Sequence, residues 1–464
     1  MIAAPPSTPT AAERLAAFCV ELRWAELDAA VQERTRELLL DLLGVALAGS
    51  REPSSRPAAR VAVELGGPGS ATILGSNNAR TTASWAAMAN GTAAHAVELD
   101  DVTTQSSLHP GVAVIPSALA LAEEIQASPT NMLQAIVAGY EVTMRAGNAL
   151  NAASAYARGF HPTGVAGVFG ATMAAGLMLG LGTDQLSSAL GIAGTLASGS
   201  LEYLADGAWT KRLNPGWAGH AGITAAQLAR AGFSGPKSVF EGRLGALHAF
   251  SDAADASLLL ADLGEPLQIM RVSIKPYACC RYNHGLIDCV LDLRRSHQFE
   301  LADVERIRLG VLSGGALLVA DPIEQKRAPR GVVDAQFSAP YAASVALLYG
   351  TGGIDAYTPD KLTDPTVREL MRRTECYRTP WLDANYPRQW PAAAEIHLRD
   401  GRVLGTRVDY ATGEPENPVA RSALLSKFVS LARDSVSDAE ALAQHILAID
   451  AGADVRELTA ALRA

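Results

Sequence analysis

From Thr10 to about Gly232, apolar residues recur at three- and four-residue spacing, so the stretch reads as helix after helix. AAERLAAFCVEL and ELDAAVQERTRELLLDLLGVALAGS open the series. The same period predicts helices over 110–124, 131–157, 165–181, 184–197 and 218–231, with Gly159 as the stop for the second. Around Pro266 the texture changes. LQIMRVSIKPYACC and VERIRLGVL predict strands, with a helix over 285–295 between them, and AAEIHLRDGRVLGTRVDY alternates around Asp400-Gly401 as a β-hairpin does. From Pro418 onward the helical period returns.

A chain of 464 residues exceeds what one hydrophobic core usually supports. The pattern therefore predicts a mainly α protein: a large all-α helical domain formed by residues 1–265 plus 415–464, with an inserted, smaller α+β lid domain over 266–414. Hydrophobic residues reach 48% while aromatics are only 6%, a balance that favours helices packed closely through Ala and Gly. One stretch, GVAGVFGATMAAGLMLGLG over 164–182, carries no charge and nearly suits a bilayer. Gly and Ala dominate it, so a helix buried among helices is the better expectation and no membrane partner is implied.

The net charge of -9 argues against nucleic acid or anionic lipid as a partner and leaves a small acidic substrate compatible, since a few cations can dominate a local site. The five cysteines are odd in number and irregularly spaced, which reads as reduced thiols in a cytoplasmic protein. MIAAPPSTPTAAERLAAF lacks a basic region followed by an apolar core, so no signal peptide is expected.

Candidate chemistry concentrates in four motifs. In AAHAVELDDVTTQSSLHPG, His95, Glu98 and Asp101 are spaced by three and would share one face of a helix, and His109-Pro110-Gly111 opens the next helix. In RGFHPTGVAGVFGAT, His161 stands before Pro162 and Thr163 at a helix entry, a place where a histidine also serves as a cap or a core residue. TKRLNPGWAGHAG sets Lys211-Arg212 before a Pro-Gly break and also holds His220. SIKPYACCRYNHGLIDCVLDL crowds Lys275, Arg281 and His284 into largely apolar surroundings, where a cation is costly unless it meets an anion. Cys279, Cys280 and His284 lack metal-ligand spacing, and no HExxH, GxGxxG, P-loop or GxSxG is present, so neither a metal nor an organic cofactor is expected.

Taken in order, HAVELDD…HPG, GFHPTGVAGVFGA, TKRLNPGWAGHAG and KPYACCRYNHGLID resemble the MmgE/PrpD family, which includes 2-methylcitrate dehydratase, cis-aconitate decarboxylase and iminodisuccinate epimerase. LLLDLLGVALAGS, FSAPYAASVALLYG and GEPENPV extend the resemblance over nearly the whole chain. It implies a helical domain, an α+β lid, a cleft between them, a homodimer and a reaction without cofactor. It also places Asp101, His109, His161, Lys211 and Lys275 at active-site positions, with His284 close by. Three features depart from the decarboxylase and dehydratase patterns: Glu98 where Asp is usual, Val102 where a hydroxyl is frequent, and one extra residue before His109. Cys280 also stands where those members can carry His. The loop length and the CRYNH segment look nearer the epimerase-like branch.

Family reactions form or redirect a carbanion beside a carboxylate. The expected roles follow: His161 and His109 as proton-transfer groups with Asp101 orienting them, Lys211 stabilising charge, and Lys275, Arg281, His284, Glu98, Thr163, Tyr277 and Cys280 contacting a small di- or tricarboxylate. Dehydration or epimerisation is the first expectation. A carboxy-lyase and a lapsed polycarboxylate-binding relative are the alternatives.

Overall fold

The computed structural model describes residues 8–452 and 454–463. The sequence reading of a chain without a signal peptide falls partly on residues 1–7, outside those described. The chain forms two compact units: Met1–Ala96, Ser106–Val272 and Arg421–Ala464 make the first, and Val97–Gln105 with Ser273–Ala420 make the second.

The first unit is mainly helical among its described residues, with a two-residue pairing of β1 (Ala71–Thr72) with β2 (Arg80–Thr81) and a single bridge from Phe160 to Ser200. Its helices run α1 (Ala11–Glu21), α2 (Ala29–Ser50), α3 (Ser55–Gly66), α4 (Ala83–Ala94), α5 (Gly111–Ile125), α6 (Pro129–Leu150), α7 (Ala152–Ala157), α8 (Pro162–Met178), α9 (Thr183–Leu196), α10 (Thr210–Arg230) and the short α11 (Ala246–Phe250). Three further helices, Arg421–Ala432, Ala439–Leu447 and Val455–Ala461, return to this unit.

Its centre is α8, buried from Pro162 through Gly176 and packed between α5, α6, α9 and α10. Small residues make that possible. A Cβ added at Gly170 would lie 1.7 Å from the Thr143 hydroxyl and 2.4 Å from the Gly139 carbonyl oxygen, so α6 and α8 touch backbone to backbone. The uncharged stretch is thus an interior helix, and no helix among the described residues is long and apolar enough to cross a membrane.

Polar pins hold the periphery. Glu141 and Arg145, both buried, pair at 2.6 Å one helical turn apart, and Arg145 also donates to the carbonyls of Ala261 and Asp262. The Glu123 carboxylate ties together Thr72, Thr459 and Arg463, fixing the chain's last helix. None of the five cysteines forms a disulfide, and burial pushes the Cys279, Cys289 and Cys376 thiols up to about 12.

The second unit carries a four-stranded sheet from β3 (Val304–Gly310), β4 (Thr374–Tyr377), β5 (Ala392–Leu398) and β6 (Val403–Val408), in the order β4-β3-β5-β6. β3 and β4 run parallel, whereas β3/β5 and β5/β6 are antiparallel. The β5–β6 hairpin turns through Gly401, whose φ of +90° suits glycine alone. Helix α12 (His284–Ser296) lies on β5 and β6, and Ala339–Tyr349 packs against it.

Four local expectations are corrected. The helix read over 131–157 is two, broken at Asn151, which adopts φ +58° and caps α7 through its side chain. The segment 267–280 is no strand: it holds a 3-10 turn at Gln268–Arg271 and a single bridge from Ser273 to Val102. His95, Glu98 and Asp101 do not share a helical face, because α4 ends at Ala94 and Glu98 sits at φ +55°. The Pro-Gly pair in TKRLNPGWAGHAG does not break the chain. α10 runs through it, since Gly216 is where this helix presses on Met88 and Thr92 of α4, and Pro215 forfeits only one helical hydrogen bond.

Candidate active site

Three long helices of the first unit begin beside one another, and each start carries a chemically useful side chain. His109 and Pro110 lead into α5, His161 is the N-cap residue of α8, and Lys211 lies in the first turn of α10. His95 closes α4 as its C-cap. The rings of His95 and His109 meet edge to face with centroids 4.8 Å apart, and those of His95 and His161 stack at 5.8 Å. All three histidines are buried.

His161 occupies a capping position without capping, for its side chain makes no hydrogen bond to the helix start. Its Nδ1 instead faces the amide nitrogen of Asn214 at 3.2 Å. With that amide donating, Nδ1 accepts and the proton of the neutral ring sits on Nε2. The backbone of His161 is pinned by its own N–H donating to the Gly199 carbonyl at 2.9 Å, and Tyr203 closes one edge with its ring centroid 6.0 Å away. Lys211 precedes Asn214 by three residues on α10, so both lie on the same face of that helix. Thr163 is wholly buried, and its hydroxyl accepts from the backbone N–H of His109 at 3.2 Å, locking the start of α5 to that of α8.

Helix N-termini present outward-pointing N–H groups and partial positive charge. Helix starts gathered near Lys211 favour an anion, and imidazole is a side chain suited to proton transfer. His95 and His109 are also close enough for one divalent ion to meet a nitrogen of each, so the expectation of a metal-free site is left to chelation. His220 stands apart, between Trp85 at 4.5 Å and Trp217 at 5.0 Å, where burial lowers its pKa.

The second unit gathers the other candidates. Lys275, only 1% exposed, meets the Glu98 carboxylate at 3.6 Å and donates to the Glu98 carbonyl at 3.2 Å. Arg281 is buried against Glu414, itself 1% exposed. The anions that the buried cations require thus include internal carboxylates. Asp101 is buried on the 97–105 segment, beside the bridge from Val102 to Ser273. His284 opens α12 and donates from Nε2 to the Cys279 carbonyl at 3.3 Å, with the Tyr277 ring 5.2 Å away. The Tyr277 hydroxyl donates to Asp288 at 2.5 Å; burial raises both groups' pKa values. Cys280 is buried, and its backbone N–H donates to the Gln336 carbonyl at 2.9 Å.

Sequence reasoning missed several partners. Asn214 sits inside a motif already singled out, but nothing in spacing says which helical face holds a histidine. Tyr203 belongs to a loop without periodic signal. Glu414 lies in GEPENPV, which carried resemblance only. Asp100 is as buried as Asp101, so the Asp-Asp pair was a signal only half used.

Fold and geometry define a class: a mainly helical protein with three buried imidazoles gathered where α4 ends and α5 and α8 begin. Comparison with known proteins narrows it. Residues 13–259 match the MmgE/PrpD N-terminal domain and residues 277–451 match the MmgE/PrpD C-terminal domain, so the chain belongs to the MmgE/PrpD family. It is 29% identical to the cis-aconitate decarboxylase-like protein oryM of Aspergillus oryzae, over 96% of this chain and 95% of that protein. It is 27% identical to the cis-aconitate decarboxylase of Aspergillus terreus, over 88% of this chain and 86% of the relative. The human cis-aconitate decarboxylase is 28% identical, over 88% and 84% respectively.

Proposed function

We propose that this protein is an enzyme that forms or redirects a carbanion beside a carboxylate of a small di- or tricarboxylate. The observation that carries the reading is the imidazole cluster of His95 at the end of α4 with His109 and His161 at the starts of α5 and α8, where Asn214 of α10 meets His161 and Lys211 lies one helical turn before Asn214. His161 is the proton-transfer group: Asn214 holds Nδ1, which leaves Nε2 to exchange a proton with a substrate carbon or a leaving hydroxyl. His109 serves as the partner acid or base. Lys211 and the helix N-termini stabilise charge that grows on an enolate-like intermediate. In the second unit, Lys275 and Arg281 recognise substrate carboxylates, with Glu98, Tyr277, Cys280 and His284 around them, while Thr163 acts through His109.

Dehydration or epimerisation follows when the proton leaves carbon. Decarboxylation is the second reading, favoured by relatives bearing that name over nearly the full chain. In that case carbon dioxide departs, its bonding electrons remain on carbon, and His161 or His109 supplies the proton. The family resemblance further leads us to expect a homodimer, and the odd, irregularly spaced cysteines a cytoplasmic protein. Incubation with cis-aconitate, 2-methylcitrate and iminodisuccinate, followed by proton NMR and carbon dioxide trapping, decides among the reactions. A new five-carbon dicarboxylate with released carbon dioxide marks decarboxylation, whereas hydration, dehydration or inversion without gas marks the first reading. No conversion of any of these polycarboxylates leaves a lapsed binding protein and defeats the proposal.

A further inference from the structure

The segment GEPENPV matches the family but has no part in the chemistry above. In the structure its turn, 411–417, bonds to Ile274, Asp288 and Arg281, and so reaches the segment that carries Lys275, Tyr277 and Arg281. Gly413 sits at φ +100°, its carbonyl accepts from the Ile274 N–H at 3.0 Å, and an added Cβ would lie 1.9 Å from the Ile274 carbonyl oxygen. This clamps the residue directly before Lys275. The Thr412 N–H donates to Asp288 at 2.7 Å, and the same carboxylate receives the Tyr277 hydroxyl. The Glu414 carboxylate receives the Arg281 guanidinium, and both side chains are buried. The turn is closed on itself by Gly413 N–H to the Asn417 carbonyl at 2.8 Å and Asn417 N–H to the Glu414 carbonyl at 3.0 Å.

We propose that turn 411–417 is the positioning element for the substrate-recognition segment 275–284, with Glu414 the positioning residue that presents Arg281. A guanidinium buried without a carboxylate would be strongly disfavoured, so Glu414 fixes both where Arg281 stands and which way its donors point. The remaining donors of the planar fork are then aimed for a substrate carboxylate. Burial raises Glu414 to about 7 even though Arg281 opposes the shift and Glu416 adds to it. Asp288 on α12 also acts on Arg281. Above pH 7 an ionised Glu414 neutralises Arg281 locally. Below it, the neutral acid still accepts a hydrogen bond and leaves the cation uncompensated, so an anion should bind more tightly as pH falls.

The inference rests on Arg281 recognising carboxylate, and the experiment separates the two claims. Binding of cis-aconitate to the full chain is measured by calorimetry from pH 6 to 8 for the wild type, Arg281→Ala, Glu414→Ala and Glu414→Gln, with KM and kcat where turnover is found. Arg281→Ala should weaken binding at least tenfold; unchanged affinity there sinks the recognition role itself. Glu414→Ala should raise the dissociation constant and KM about tenfold with kcat reduced less than threefold, and should add nothing in the Arg281→Ala background. Glu414→Gln, which keeps an acceptor, should restore affinity to within threefold of the wild type at pH 6 and flatten its pH dependence. A folded Glu414→Ala protein with normal affinity, or parallel pH profiles for the wild type and Glu414→Gln, would overturn the inference while leaving the Arg281 reading intact. Should Glu414→Ala fail to fold, the Glu414→Gln profile alone decides.

Discussion

Replacing His161 with glutamine separates a proton-transfer residue from a packing one. Glutamine is close to histidine in reach and can keep a hydrogen bond to Asn214, which now meets Nδ1 at 3.2 Å. The site is buried, so the structural cost is at most one imperfect hydrogen bond and a small packing change, about 1 kcal/mol. In a chain of 464 residues that moves Tm by roughly 1 °C. Glutamine cannot exchange a proton near neutral pH. Loss of general acid–base assistance should therefore lower kcat by at least ~10²-fold, about 2.7 kcal/mol of barrier. The assay pairs steady-state turnover of the identified polycarboxylate with calorimetric affinity and a thermal scan. Slow turnover with near-normal affinity and Tm supports the assignment. A drop in Tm of about 3 °C or more with normal turnover in the surviving protein would make His161 a core residue and move the search for the base to His109.

Lys275→Ala should weaken substrate binding at least tenfold, about 1.4 kcal/mol or more, and it also strands the buried Glu98 carboxylate at a cost of about 3–5 kcal/mol. Adding Glu98→Gln should recover stability in urea but not affinity; recovery of both would make the pair purely structural. Gly170→Ala, whose new methyl would collide with Thr143 and the Gly139 carbonyl, should destabilise by about 1–3 kcal/mol or more, and an unchanged urea midpoint would contradict the close α6–α8 contact. Turnover should survive exhaustive chelation; loss that one divalent ion restores would assign a metal, with His95 and His109 the first ligands to examine.

Much of the helical fold is legible because its signal is local. α2 and α12 follow from apolar spacing alone, and the β5–β6 hairpin from alternation around Asp400-Gly401. The errors have two causes: tertiary contact can reuse residues that ordinarily mark breaks, and apolar spacing does not say where a helix stops. Pro215-Gly216 looks like a helix stop, yet Gly216 is the contact between α10 and α4. Residues 95–101 have helical spacing, but the chain leaves α4 at His95 and turns left-handed at Glu98. At the site, histidines could be singled out because Gly and Pro surround them. Their partners could not, since Asn214, Glu414 and Asp288 are ordinary polar residues until folding brings them against His161, Arg281 and Tyr277.

The central claim is a carbanion beside a carboxylate, handled by the imidazole cluster. The most direct measurement is proton NMR in deuterated water with cis-aconitate and a panel of di- and tricarboxylates, comparing the wild type with His161→Gln. The account predicts that the wild type places deuterium on a carbon adjacent to a carboxylate, in product or recovered substrate, and that His161→Gln slows this at least ~10²-fold. A folded wild-type protein that binds a polycarboxylate yet incorporates no deuterium into any of them, or a His161→Gln variant that exchanges at the wild-type rate, would contradict it.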